Sequence, residues 1–167
     1  MKSKSTIITA LVVALLPAVA FAQKVSTDHD PKAPFASYRT YAWVQGTPAQ
    51  NPLNETRIRD GVNGKMAAAG FKLVTENPDV FVATHALAKE EKELYATGYG
   101  PRWGGATAQV YTYIKGTLVI DLYDGKTKQL VWRGTATDTM SDKPEKNTEK
   151  IAKAIDKIFK QYPPKAK

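Results

Sequence analysis

Aromatic side chains and an arginine lie together in one glycine-rich segment and are the residues best suited to bind a ligand. The segment, residues 97–105, contains Tyr99, Arg102 and Trp103. Its glycines predict a loop, and aromatic rings beside an arginine can stack on sugars or bases. Tyr111 and Tyr113, on the strand that follows, extend this surface. We predict a binding site here; the alternative is a hairpin tip whose indole packs onto the sheet.

Two aspartates and a histidine fall in predicted strands, where carboxylates and imidazoles can do acid–base chemistry. Asp121 and Asp138 lie on strands expected to pair, and paired carboxylates serve as acid and base in hydrolysis. Strand alternation places them on opposite faces unless a bulge shifts the register. His85 lies in an apolar strand, where a hydrogen-bonded sheet residue is the simpler interpretation. Convergence of His85 with either aspartate would instead indicate an enzyme.

Short catalytic and cofactor motifs do not stand out. Gly125–Thr127 resembles the end of a phosphate-binding loop, but Ile120 stands where that motif needs a glycine. No serine lies in Gly-x-Ser-x-Gly, and the absence of cysteine excludes thiol catalysis and zinc–thiolate sites. His29, between Asp28 and Asp30, could hold a divalent metal weakly, although a solvated strand end explains it as well. We therefore predict no catalytic residue, cofactor or metal, and no enzyme.

The first 22 residues have the pattern of a secretory signal peptide. Two lysines precede an apolar run over residues 7–19, and a small-x-small cleavage site ends at Ala22. Cleavage there would leave Gln23 as the mature N-terminus. The run is too short for a spanning helix, so we expect no transmembrane span in the mature chain. Without cysteine we also expect no lipid anchor, and a periplasmic or secreted location.

The composition describes one basic domain, predicted over residues 23–167. The chain has 24 Lys+Arg against 16 Asp+Glu, a formal net charge of +8. Such charge attracts anionic lipid, polysaccharide or nucleic acid, although scattered surface lysines need only serve solubility. Nucleic acid is not expected as a partner, because the lysines follow helix faces and the compartment is wrong.

Periodicity predicts the element order β-β-α-β-β-β-β-α. The first helix is expected to begin at Asn54 and end at Gly70, and the second to follow Pro144. Residues 110–123 and 129–140 form the strongest hairpin signal. Residues 88–94 suit a helix by propensity, but they also extend a strand, which we prefer. The predicted fold is α+β: a mostly antiparallel sheet with two amphipathic helices packed on one face.

Several segments resemble one family of bacterial envelope proteins, Domain of Unknown Function 4136. They are Val25, Asp28 and Asp30, then Tyr-Arg-Thr-Tyr-Ala-Trp at 38–43, Gly-Thr-Leu-Val-Ile-Asp-Leu at 116–122, Leu-Val-Trp-Arg-Gly at 130–134, Pro-Glu-Lys-Asn at 144–147, Phe159 and Tyr-Pro-Pro at 162–164. The resemblance implies export. Many members look like lipoproteins, from which this chain departs because it has no cysteine. It implies no activity for any named residue.

Together these features predict an exported envelope protein that acts by binding, as an accessory module without catalysis. The expected partner is an envelope protein, a glycan or an anionic lipid. One alternative is a hydrolase with a carboxylate site that the sequence does not place. Another is an assembly factor acting through a sheet edge.

Overall fold

The computed structural model describes residues 23–98 and 106–164. Its elements follow the predicted order: β1 (Lys24–His29), β2 (Thr40–Trp43), α1 (Pro52–Ala68), β3 (Lys72–Leu73), β4 (Val80–Gly98), β5 (Ala106–Asp124), β6 (Leu130–Thr139) and α2 (Pro144–Phe159). Residues 88–94 are strand, as preferred from the sequence. α1 begins earlier than predicted, because Asn51 rather than Asn54 caps it and Pro52 occupies its first turn.

The six strands of the described chain form one mixed sheet in the order β1-β6-β5-β4-β2-β3. β1, β6, β5 and β4 pair antiparallel, as predicted. β2, however, runs parallel to both β3 and β4, so the prediction of a mostly antiparallel sheet needs correction at this edge. The reason is α1, which carries the chain back along the sheet, so that β3 and β4 run in the same direction as β2.

Both helices pack on one face of the sheet, as predicted. α1 contributes a narrow apolar stripe of Ile58, Val62 and Met66. The wider stripe of α2 is built around Ile155, Ile158 and Phe159. The sheet side of this core is formed by Tyr41, Val80, Val82, Leu118, Ile120, Leu122, Trp132 and Ala136.

Two glycines let α2 come close to its neighbours. A Cβ on Gly61 of α1 would lie 2.7 Å from Ile155 Cδ1, and one on Gly134 of β6 would lie 2.3 Å from Ile158 Cγ2. At Gly61 the close neighbour of α2 is the other helix, and at Gly134 it is the sheet.

Neither helix in residues 23–98 and 106–164 combines the length and the apolar character needed to cross a bilayer.

Asp79 ties the start of β2 to the start of β4. Its Oδ2 accepts from the Arg39 and Thr40 backbone N–H groups at 2.8 and 2.9 Å, and from the Thr40 hydroxyl at 2.9 Å. The Thr40 hydroxyl oxygen accepts in turn from the Asp79 N–H at 2.9 Å. The Arg39 backbone bond is the main reason that the pKa of Asp79 lies below its usual range. The charged carboxylate therefore stabilises the fold above the unfolded-state pKa, and this stabilisation is lost as pH falls through the folded-state pKa.

Asp79→Ala should lower the free energy of unfolding by about 1–3 kcal/mol at pH 7, because it leaves two backbone donors without their acceptor. The difference from the unsubstituted protein should shrink as pH falls toward 2. Urea unfolding at a series of pH values measures it, with exposed Glu76→Ala as the control. A deficit of constant size down to pH 2 would show that the carboxylate charge is not what stabilises this junction.

Candidate functional site

A two-stranded arm extends from the sheet and carries the described part of the predicted binding surface. We call residues 90–98 of β4 and 106–114 of β5 the arm. They pair with each other in a register that runs from Glu90 opposite Ile114 to Gly98 opposite Ala106. At the base of the arm, the Ile114 carbonyl also accepts from the Met140 backbone N–H at 2.7 Å. The neighbouring strand β6 reaches only to Thr139, which pairs with Lys115. The strand edges along most of the arm are therefore open to another chain.

The arm exposes apolar side chains on both faces. Leu94 and Val110 are direct cross-strand partners and are 65% and 61% exposed. Both side chains lie on the sheet face that the two helices cover in the core. Ile114, also exposed, lies on the same face at the base of the arm. On the opposite face, the exposed Tyr95 and Tyr111 rings meet edge to face with centroids 5.6 Å apart.

Glu91 holds one tyrosine of the arm in place. Its Oε2 accepts from Lys115 Nζ at 2.8 Å and from the Tyr113 hydroxyl at 3.1 Å. The bonds from Lys115 and then Tyr113 lower the pKa of Glu91, and the bond to Glu91 raises the pKa of Tyr113. Tyr113 is therefore half-buried and tethered, whereas Tyr111 is exposed.

The predicted binding residues are brought together only in part. Tyr111 and Tyr113 share one face of the arm, as predicted. Tyr99, Arg102 and Trp103 lie outside the described residues, as does Ala22 of the expected cleavage site. Gln23 is described, and its side-chain amide donates to the Lys150 carbonyl at 3.1 Å. The sequence analysis did not identify Leu94 and Tyr95 as binding candidates. Their apolar side chains follow a charged stretch of the same strand, and this could have indicated an exposed surface.

A buried aspartate lies on the sheet face opposite the helices. Asp121 has no exposed surface. Arg133 Nε donates to its Oδ1 at 2.7 Å and Arg133 Nη2 to its Oδ2 at 2.6 Å. The Tyr123 hydroxyl also donates to Oδ2 at 3.2 Å. Burial first, and then the Asp121 charge, raise the pKa of Tyr123, and the bond to Asp121 raises the pKa of Arg133.

His85 converges with Asp121, the arrangement that would indicate an enzyme. Its Nε2 lies 3.6 Å from Asp121 Oδ2, beyond hydrogen-bond distance. On its other side, Nδ1 accepts from the Thr47 backbone N–H at 3.2 Å and lies 3.0 Å from the Thr47 hydroxyl. Nδ1 of His85 already accepts a hydrogen bond from the backbone, and Arg133 occupies both oxygens of Asp121. This arrangement suits side chains that hold neighbouring strands together by hydrogen bonds better than side chains that relay a proton.

Asp138 lies on the opposite face from Asp121, as alternation predicted. It accepts from Lys150 Nζ of α2 at 3.2 Å. The register shift between β5 and β6 falls between Leu122 and Tyr123, so it does not change the faces of these two aspartates. Within residues 23–98 and 106–164, no three His, Asp or Glu side chains converge as a metal site.

Comparison with solved structures finds matches at low sequence identity. A PDZ domain protein from Parabacteroides distasonis matches 84% of this chain with a TM-score of 0.60 and 16% identity. This chain spans only 35% of that protein. A PelC dodecamer from Paraburkholderia phytofirmans matches with a TM-score of 0.48 and 14% identity, over 80% of this chain and 96% of that one. A minor lipoprotein from Acinetobacter baumannii matches with a TM-score of 0.38 and 12% identity, over 74% and 91%.

Comparison with curated proteins finds no match. A family model, in contrast, matches residues 25–164, which run from the second residue of β1 to beyond the end of α2. This range includes every segment on which the sequence resemblance rested. The chain therefore belongs to the family described as Domain of unknown function (DUF4136).

Proposed function

We propose that this protein is an exported, non-catalytic binding module of the bacterial cell envelope, and that its arm contacts a protein partner. The observation that carries the proposal is the exposed Leu94–Val110 pair, on a stretch of β4 and β5 that no third strand of the described residues supports. A two-stranded hairpin alone in water is at best marginally stable. An arm of this length is therefore best explained as a contact element that a partner completes.

The chemistry of the arm favours protein over glycan or lipid. Exposed aliphatic side chains such as Leu94, Val110 and Ile114 match an apolar protein surface, and such patches mark interaction sites. The open strand edges add backbone donors and acceptors that a partner strand can pair with. Charged residues, which begin at Lys89 and Glu90, disfavour pairing of these edges with unrelated strands.

The export part of the proposal depends on residues 1–22, whose pattern fits a signal peptide. Membership of a family that the sequence resemblance associates with export supports the same location. Because the chain has no cysteine, we propose that the mature protein is not attached to a membrane through a lipid.

Photo-crosslinking in intact cells tests the arm. A photoreactive residue at Leu94 or Tyr111 should crosslink to one shared protein, whereas the same residue at Leu73, exposed on β3 at the far edge of the sheet, should not. Adding Val110→Ser should reduce the crosslink from Leu94 several-fold. Because Val110 is exposed, its substitution should leave stability within about 0.5 kcal/mol.

The identity of the crosslinked species decides between the two modes of action. A different protein would establish a binding module, and a second copy of this chain would establish the assembly alternative. Equal crosslinking from Leu73, or none from either arm position, would contradict a role for the arm.

A further inference from the structure

A groove lies where the two helices begin and the sheet continues beyond them. α1 and α2 pack side by side, with Gly61 against Ile155 and Lys65 paired with Asp156. They run in the same direction, because the strands that precede them, β2 and β6, both run in the direction of β4. Their first turns therefore share one end of the core. Between these turns and the sheet, at the base of the arm, is a cavity of about 270 Å³.

The floor of the groove is apolar, and the described residues do not cover it fully. The sheet supplies Ala86, Leu118, Ala136 and Met140, and the helices supply Ile58 and Ile151. Met140 is 37% exposed, although it follows β6 on the strand face that is buried further along. The helices begin too far along the sheet to cover it. The volume lies just below the range of about 300–1,000 Å³ typical of small-molecule sites, which suits one hydrocarbon chain better than a two-chain lipid.

Among the described residues, the rim of the groove carries one positive charge without a counter-ion. The charged residues that line it are Arg57, Asp138 and Lys150. Lys150 Nζ pairs with Asp138 at 3.2 Å. Arg57 Nη1 donates to Asn54 Oδ1 at 2.8 Å, and Arg57 forms no ion pair within residues 23–98 and 106–164. Its guanidinium therefore remains available to an anion.

The helix ends add to this positive potential. Residues of both first turns, Asn54 of α1 and Asn147 of α2, line the groove. Helix N-termini carry partial positive charge and unsatisfied N–H groups. Asn51 caps α1, but the N-cap position of α2, Lys143, makes no side-chain cap bond.

We propose that this groove binds an anionic single-chain amphiphile, specifically the free fatty acid released from envelope lipids. The hydrocarbon chain would lie on the apolar floor, and the carboxylate would meet Arg57 and the two helix N-termini. A matching cation would place its charge against Arg57, so that the sign of the head group decides binding. This site is separate from the arm and does not depend on its proposed role, although the source of the fatty acid rests on the proposed envelope location.

The test is titration of the purified mature protein with dodecanoate, below its critical micelle concentration, by calorimetry. Dodecyltrimethylammonium, with the same chain length and opposite charge, is the matched probe. Dodecanoate should bind at least about tenfold more tightly, the ratio expected for one charge-assisted hydrogen bond. Equal binding of both probes would indicate adsorption of hydrocarbon alone and would overturn the proposal, as would no binding of dodecanoate.

Variants locate the site. Arg57→Gln should weaken dodecanoate binding about tenfold, Arg57→Lys should retain most of it, and exposed Lys72→Gln on β3 should not change it. Ala88→Trp, at the mouth of the groove, should block it, whereas Ala68→Trp at the far end of α1 should not. Thermal melts confirm that each variant is folded. Unchanged binding in folded Arg57→Gln or Ala88→Trp would place the ligand elsewhere and overturn the proposal.

Discussion

Replacing Arg133 by methionine should lower the free energy of unfolding by about 2–4 kcal/mol. The substitution removes both guanidinium bonds, of 2.6 and 2.7 Å, from the fully buried Asp121 carboxylate. A buried charge that loses its partner typically costs 3–5 kcal/mol. We place the expected loss lower, because the Arg133 side chain is 46% exposed and its removal admits some water. Urea denaturation of the variant at pH 7 measures the effect.

The partner substitutions separate the buried pair from surface pairing. Asp121→Leu combined with Arg133→Met should recover much of the loss, since no isolated charge remains buried. Lys115→Met breaks a surface pair of similar length, 2.8 Å to Glu91, and should cost no more than about 1 kcal/mol. If Arg133→Met is no more destabilising than Lys115→Met, Asp121 does not depend on its guanidinium partner.

The Asp121 cluster shows what alternation can and cannot predict. Period-two patterning placed Asp121 and Asp138 on opposite faces, and the register of β5 with β6 confirms this. It did not predict that Asp121 is completely buried. That burial depends on the pairing of β4 with β5, which brings His85 diagonally beside Asp121. It also depends on the close approach of Thr47 to His85. Both are tertiary contacts between segments distant in sequence.

The parallel pairing of β2 was missed for a related reason. Hydrophobic periodicity identifies a strand and its buried face but carries no information on its direction. The direction of β2 relative to β4 is set by α1, which lies between the two strands in the sequence and returns the chain to the end of the sheet where β2 began. The early start of α1 was predictable from Pro52, because proline suits the first turn of a helix and Asn51 precedes it.

At the base of the arm, the alternation of apolar and polar residues no longer predicts which side chains are buried. Ile114 and Met140 fall on the strand face that is buried further along, yet they are 47% and 37% exposed. They are exposed because the helices begin too late to cover them. On this face β4 turns charged at Glu90 and Lys92, but β5 stays apolar at Val110 and Ile114. The two strands therefore give different signals, and the position at which burial ends is known only when the helices are placed.

Ile155→Asp should unfold the domain or leave it barely stable. Ile155 is 1% exposed, and its Cδ1 lies in the space that the missing side chain of Gly61 leaves open. The substitution removes a buried apolar side chain, for which Ile→Ala alone costs about 2–5 kcal/mol. It also places a carboxylate there without a partner, which adds a desolvation cost. Their sum approaches the total stability of about 5–15 kcal/mol for a typical domain.

A thermal melt followed by circular dichroism tests this, with Ala152→Asp on the exposed side of the same helix as the matched control. Ala152→Asp should melt cooperatively within a few degrees of the unsubstituted protein, because exposed positions change stability by about 0.5 kcal/mol. Ile155→Asp should show no cooperative transition, or one at much lower temperature. The pair isolates burial from helix propensity, since both place aspartate within α2. An unchanged melt for Ile155→Asp would mean that α2 does not pack on α1 and the sheet through this stripe, and the groove between their first turns would fall with it.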